Sequence, residues 1–103
     1  SGNAGKGIGK DEFTEKVIEV PVKVLNNNEF RNVKLLPEKV KVTILSPLSK
    51  YQETDRSDFE FFVDLNNWKE NGYTQLPVRI IRIPEFSRLV KIEPQTLDFI
   101  IQK

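Results

Sequence analysis

A two-residue alternation of apolar and mostly polar side chains is the feature that most constrains how this chain can fold. Apolar residues take every second position from Ile18 to Val24, from Val40 to Ile44 and from Phe59 to Leu65. Because a strand points successive side chains to opposite faces, each run indicates a β-strand with one buried face. No stretch keeps a helical period for three turns, so the pattern predicts an all-β protein.

Turn-forming residues divide these runs into short segments. Asn26–Glu29 predicts a turn, since Asn tolerates a positive φ, and Gly72 is expected to supply a positive φ in the connection after Leu65. Residues 48–58 are polar and aperiodic, which predicts a long loop with one helical turn around Leu48 to Tyr51. The chain is therefore expected to form six to seven short strands with long connections, arranged as a small sandwich or a partly open barrel.

Two prolines inside predicted strands carry a further expectation. Pro21 lies in the first strand, and Pro77 lies in a strand predicted to run from Tyr73 to Ile83. Proline has no N–H to donate to a neighbouring strand, so both are expected at a sheet edge or a bulge.

The N-terminal residues 1–12 are expected to form a flexible leader or a cloning scar, and residues 13–103 a single domain. Four of the five glycines fall in the first nine residues. The stretch from Gly5 to Gly9 imitates a phosphate-binding loop, but its spacing is one residue short and Asp11 stands where a Ser or Thr would hold magnesium. A leader is therefore favoured over a nucleotide site.

Composition excludes several function classes. With 16 basic and 15 acidic residues, the formal charge of +1 makes nucleic acid an unlikely main partner. The chain contains neither His nor Cys, so disulfides, catalytic triads, imidazole proton transfer and the usual zinc sites are ruled out. We expect no enzyme activity, no catalytic or metal-binding residues and no cofactor.

The remaining polar and aromatic candidates also favour structural roles. Glu53, Asp55 and Asp58 lack the spacing of a calcium loop, and a solvated loop is favoured. Trp68 could stack on a sugar or a base, but a cap on a core edge is favoured. Asp64 is expected to be an outward-facing strand residue with an ordinary pKa, paired with a Lys or Arg of a neighbouring strand.

Candidate partner contacts are apolar residues on the strand faces that the alternation assigns to solvent. These are Phe62, Ile81 and Ile100, with Leu45 close to the same pattern. Either a second sheet or a partner must cover them, and burial within the domain is favoured. Four basic residues expected around a hairpin at Pro84 could face phosphates or an acidic partner, although an ordinary solvated face is favoured: Arg79, Arg82, Arg88 and Lys91.

Residues 36–102 resemble the YbbR-like (CdaR-type) domain family through a set of short elements in one order. The elements are Leu36-Pro37, Val40-x-Val42, Ser46-Pro47, Val63-Asp64-Leu65, Gly72, Leu76-Pro77-Val78 and Ile92-Glu93-Pro94 followed by Leu97. The resemblance implies a small β fold and no known catalytic residues. It also implies an uncharacterized non-catalytic interaction or spacer domain in the extracytoplasmic part of a bacterial membrane-anchored protein.

In that setting the domain would contact a protein partner or neighbouring YbbR-like domains, and could act as a regulator of a membrane partner such as a diadenylate cyclase. No run of this chain approaches the roughly 18 apolar residues of a membrane span. Membrane attachment would therefore use a segment absent from this chain. The alternative is an RNA-binding role, by fold likeness to the C-terminal domain of a 5S-RNA-binding ribosomal protein.

Overall fold

The structure is a computed structural model that describes residues 12–102. Within them, the strands and the α-helix follow in this order: β1 (Phe13–Leu25), β2 (Asn32–Leu36), β3 (Lys39–Pro47), β4 (Glu60–Asp64), α1 (Asn66–Lys69), β5 (Leu76–Pro77), β6 (Arg79–Arg82), β7 (Arg88–Glu93) and β8 (Thr96–Gln102). Two 3₁₀ turns, Leu48–Glu53 and Arg56–Asp58, lie in the 48–58 loop. The all-β prediction and the helical turn after Pro47 are confirmed.

The strands form two sheets. A five-stranded sheet has the order β6-β4-β1-β3-β7 and curls into an open half-barrel, while a small second sheet has the order β2-β8-β5. The partly open barrel expected from the sequence is confirmed. Strand β1 is the spine of the large sheet, because it pairs antiparallel with β3 up to Pro21 and parallel with β4 from Val22 onward.

This change of partner explains how a central strand contains Pro21. The Val22 N–H donates to the Glu38 carbonyl on the β3 side (3.1 Å), so the Pro21 nitrogen faces the opposite side of β1. The β4 ladder begins only at Val22, and Pro21 therefore removes no bond from either pairing. The predicted edge position holds locally for Pro21, where β1 is paired on one side only, although β1 as a whole is a central strand. The edge position is confirmed for Pro77, since β5 is an edge strand of the small sheet.

One core fills the space between the two sheets. Residues from every second position of β1, β3 and β4 face the small sheet, as the alternation predicted. The buried apolar residues are Val20, Leu35, Val40, Val42, Ile44, Phe59, Phe61, Val63, Leu65, Leu76, Ile92 and Leu97. Because the core draws on both sheets, neither sheet is expected to be stable without the other.

Two bulges break the alternation in the later strands. In the β3–β7 pairing, Thr43 faces Lys91 but Ile44 faces Leu89, which leaves Val90 without a cross-strand partner and 46% exposed. A matching shift between β4 and β6 displaces Ile81. A bulge adds one residue to one strand and reverses the facing of the residues beyond it. The alternation of Val90 with Ile92 predicts that Val90 faces inward, and the bulge turns it outward instead. Ile80 lies opposite the buried Phe61, on the inward face, but it is 43% exposed because β6 is an edge strand.

The predicted strand from Tyr73 to Ile83 is two strands in different sheets. Strand β5 pairs with β8, β6 pairs with β4, and Val78 between them donates to the Gln95 carbonyl (2.9 Å). This division raises the strand number to eight among the described residues. Gly72 has the expected positive φ, at +73°, where it follows the one-turn helix α1.

The peptide bonds Leu36–Pro37 and Glu93–Pro94 are cis. Helical segments with the length and hydrophobicity of a membrane span are absent from residues 12–102. The predicted leader and the Gly5–Gly9 stretch lie outside the described residues, apart from Glu12, whose carbonyl accepts the Leu48 N–H (2.8 Å). The division at residue 12 stays a prediction.

Candidate interaction site

The three apolar residues predicted as partner contacts do not form one patch. Phe62 lies on β4 and is half-buried, Ile81 is the bulge residue of β6, and Ile100 lies on β8 in the small sheet. Ile81 and Ile100 are 52% and 44% exposed, so the favoured burial within the domain is wrong for these two. Leu45, on β3, is half-buried.

The four basic residues are not arranged around a hairpin. Arg79 and Arg82 belong to β6 and Arg88 and Lys91 to β7, which are the two ends of the five-stranded order and do not pair with each other. Glu60 lies 3.1 Å from Arg82, and Glu93 lies 3.6 Å from Lys91. Since two of the four are paired with acids, the structure gives no support to an RNA-binding face.

The loop between β1 and β2 holds the most exposed large apolar side chain of the described residues. We call residues 26–31 the tip loop. Phe30 in this loop is 92% exposed and has a φ of +52°. A bulky residue seldom adopts the left-handed region, at a cost of about 1 kcal/mol, and such residues concentrate at functional sites. Phe30 is therefore the candidate contact residue that this structure singles out.

Hydrogen bonds of Asn27 close the tip loop around Phe30. The Asn27 side chain accepts from the Arg31 N–H (2.9 Å) and donates to the Arg31 carbonyl (2.6 Å). The Phe30 N–H donates to the Asn27 carbonyl (3.1 Å), as in a tight turn. These bonds hold the backbone around Phe30 and so fix the direction in which its side chain leaves the loop, which lowers the backbone entropy lost on binding.

Asp64 ties the tip loop to the large sheet. Its carboxylate accepts from the Asn26 side chain (2.8 Å) and from the Asn66 N–H (2.9 Å), and Lys69 donates to the Asn26 carbonyl (2.8 Å). These bonds, chiefly that from Asn26, hold the pKa of Asp64 below its ordinary value. The expected ordinary pKa and strand Lys or Arg partner are therefore wrong, because Asp64 lies where β4 ends and binds a loop amide.

Aromatic contacts support the other side of the tip loop. The Arg31 guanidinium lies over the Trp68 ring, 5.4 Å from its centre, and Trp68 packs edge-on against Phe99 at 5.5 Å. Arg31 also bonds Glu29 (2.8 Å), which lowers the pKa of that carboxyl. Trp68 is half-buried against the core, so its predicted place at a core edge is confirmed.

The acidic residues considered for calcium are held within the 48–58 loop. Asp55 and Asp58 cap each other's backbone in the second 3₁₀ turn, and Glu53 lies 3.9 Å from Lys50. The loop is tied to β1 by Lys16, whose ammonium group donates to the carbonyls of Tyr51 and Thr54. In the described part of the chain, groups of three or more acidic side chains placed to hold a metal ion are absent.

An open, largely apolar cleft of about 420 Å³ lies between β7, at one edge of the large sheet, and the β5–β8 side of the small sheet. One wall comes from Pro77 of β5 and from Val78, which follows it. The other comes from Leu89, Val90 and Ile92 of β7. Lys91, Gln95 and Thr96 also line it. A cleft of this size can hold a large side chain.

Phe30 and the cleft were both missed at the level of sequence. Phe30 is the only apolar residue between Leu25 and Val33, and a lone aromatic residue in a polar turn was the available signal. The cleft had no such signal, since it depends on how β7 of the large sheet lies against the small sheet and on the bulge that exposes Val90.

Comparison with protein-family models gave no match, and neither did comparison with curated proteins. Two solved structures are similar to this chain. The YbbR-like domain of a Listeria monocytogenes protein has a TM-score of 0.61 and 26% identity, over 86% of this chain and 93% of that one. A YbbR-like protein from Streptococcus pneumoniae has a TM-score of 0.60 and 21% identity, over 91% of this chain but only 49% of that one.

The first likeness covers nearly the whole of the Listeria domain, and the second confirms the fold within a chain about twice as long. The residues that carried the resemblance at the sequence level, such as Leu76-Pro77-Val78 and Ile92-Glu93-Pro94, lie on β5, on β7 and in the turns after these strands. Sequence pattern and architecture agree, and the chain has the fold of a YbbR-like domain.

Proposed function

We propose that this chain is a non-catalytic protein-interaction domain and that Phe30, at the tip loop, is its main contact residue. The observation that carries the proposal is an aromatic side chain that is 92% exposed on a loop held by side-chain hydrogen bonds. A folded domain gains nothing in stability from such a residue, whereas a partner that buries it gains its full apolar surface. A pure spacer would need no such residue.

The proposed setting is the extracytoplasmic part of a bacterial membrane-anchored YbbR-like protein. There the domain would reach a membrane protein or another YbbR-like domain, and a diadenylate cyclase is the membrane partner that the family resemblance suggests. The lack of His and Cys in the whole chain supports a binding role over a catalytic one.

A site-specific crosslinking experiment tests this role. A photoreactive phenylalanine replaces Phe30 in the full-length protein in its own bacterium, and a second version carries the probe at Leu48, which is exposed on a different loop. Crosslinked proteins are identified by mass spectrometry, and the recovered partner is purified for titration against this domain. We expect a defined partner from position 30 that position 48 does not give.

The titration then measures how much Phe30 contributes. Truncating a central aromatic contact typically weakens binding by about 30-fold or more, so Phe30→Ala should do so while Leu48→Ala leaves affinity within about threefold. Equal binding by wild type and Phe30→Ala would refute the assignment of Phe30. Recovery of no partner and no YbbR-like domain from position 30 would refute the interaction role.

A further inference from the structure

We infer that the partner of Phe30 is a second copy of this fold, with Phe30 of one copy inserted into the apolar cleft of the next. The inference rests on the proposed function and names the surface that receives the contact residue. Both halves of the contact are present on one chain: an exposed aromatic residue on a fixed loop, and an apolar cleft of about 420 Å³.

The cleft is built to receive an apolar side chain. Val78 and Ile92 form part of its walls at the core, and the β7 bulge turns Val90 outward so that it is half exposed at the opening. Filling the cleft with a ring removes both apolar surfaces from water. Phe30 does not enter the cleft of its own chain, because its side chain is almost fully exposed.

The charges beside the two surfaces are compatible with this contact. Glu29 and Arg31 flank Phe30 as one acid and one base, and Lys91, which lines the cleft, is paired with Glu93 beside it. Two such pairs can face each other with opposite signs in register. The formal charge of +1 also leaves little long-range repulsion between copies.

Because the tip loop and the cleft are different surfaces, the contact joins unlike patches of two copies. It can be made reciprocally in a dimer or repeated from copy to copy in one direction. A single inserted side chain predicts weak association, with a dissociation constant on the order of 0.1–1 mM for the free domain. Tethering within a longer chain would raise the effective concentration of the two surfaces.

Sedimentation equilibrium of the 103-residue chain, from about 10 μM to 2 mM, tests the inference. Wild type is expected to gain mass with concentration. Phe30→Ala, which has lost the ring, and Val90→Lys, which has a charged cleft, should each associate about 30-fold more weakly. Both residues are exposed, so thermal unfolding of each variant should match that of wild type within a few degrees.

Mixing the two variants gives the sharpest readout. Phe30→Ala keeps an intact cleft and Val90→Lys keeps an intact Phe30, so an equimolar mixture should form a heterodimer that neither variant forms alone. A monomeric wild type at 2 mM would refute the inference, and so would association that survives Phe30→Ala or a mixture that stays monomeric. Crosslinking from position 30 to an unrelated membrane protein, with wild type monomeric, would overturn this inference and leave the proposed function standing.

Discussion

Replacing Lys16 tests how the 48–58 loop is held to the sheet. Lys16 lies on the core-facing side of β1, in phase with Ile18 and Val20, where an apolar residue would be expected. Its ammonium group donates to the carbonyls of Tyr51 and Thr54, the second at 2.9 Å, and lies 4.5 Å from the centre of the Tyr51 ring. The substitution Lys16→Met keeps the apolar stem and removes these three interactions.

The expected loss is the sum of these contacts. A hydrogen bond to a charged group contributes about 1.5–3 kcal/mol when buried, and Lys16 is only half-buried, so we assign about 1 kcal/mol to each of its two bonds. The contact with the Tyr51 ring adds about 0.5–1 kcal/mol. Lys16→Met should therefore lower the free energy of unfolding by about 2–3 kcal/mol, and Tm by roughly 10–20 °C for a domain of this size.

Urea unfolding followed by Trp68 fluorescence measures the global loss, and amide hydrogen exchange measures the local one. Lys34→Met is the matched control, because Lys34 is exposed on β2 and its substitution removes the same charge. Faster exchange in residues 48–58 should accompany the loss in Lys16→Met alone. If Lys16→Met and Lys34→Met were equally stable, the tether would not hold the loop, and the reasoning would be wrong.

Two further substitutions test the core and the anchor of the tip loop. Phe61 is fully buried, so Phe61→Ala should cost about 3–5 kcal/mol in urea unfolding, whereas Phe30→Ala at an exposed site should change stability by less than about 0.5 kcal/mol. Equal losses would contradict the described burial. Asp64 has a lowered pKa, so its stabilising effect is present above its unfolded-state pKa of 3.8 and disappears as pH falls through the lower folded-state value. Asp64→Asn should therefore lower the free energy of unfolding at neutral pH by about 1 kcal/mol and weaken the loss of stability on acidification. The control Glu38→Gln, at an exposed carboxylate, should change the free energy of unfolding at neutral pH by less than about 0.5 kcal/mol. If Asp64→Asn lost as much stability on acidification as wild type does, the Asn26 contact would be excluded as the cause.

The alternation of side chains predicts the core better than it predicts the surface. Along β1, β3 and β4 the apolar positions of the sequence are the buried positions of the fold, because a regular strand transmits its period directly to its two faces. Ile80 keeps its predicted face, opposite the buried Phe61, although it is exposed on the edge strand β6. The prediction fails at Val90, where a bulge adds a residue to β7. A bulge depends on the partner strand, so one strand's own pattern cannot reveal it.

The candidate site likewise combines features that the sequence predicts with features that depend on distant segments. The residues around Phe30 predict a turn from the sequence. The exposure and the left-handed backbone of Phe30, however, depend on Asn27 and on Asp64, and Asp64 lies 34 positions after Phe30 in the chain. The four basic residues are close in sequence, yet the order β6-β4-β1-β3-β7 sends them to opposite ends of a sheet. The roles of Lys16 and Asp64 were equally hidden, since each is defined by a hydrogen-bond partner on another segment.

By itself, the sequence determined the fold class, the strands that supply the core and the likeness to YbbR-like domains, because these depend on local period, turn residues and short motifs in order. Only the tertiary structure decided which strands pair, where the half-barrel stays open and which apolar side chain is left in solvent. Those properties arise from contacts between distant segments, and burial is a property of the whole arrangement and not of any one stretch.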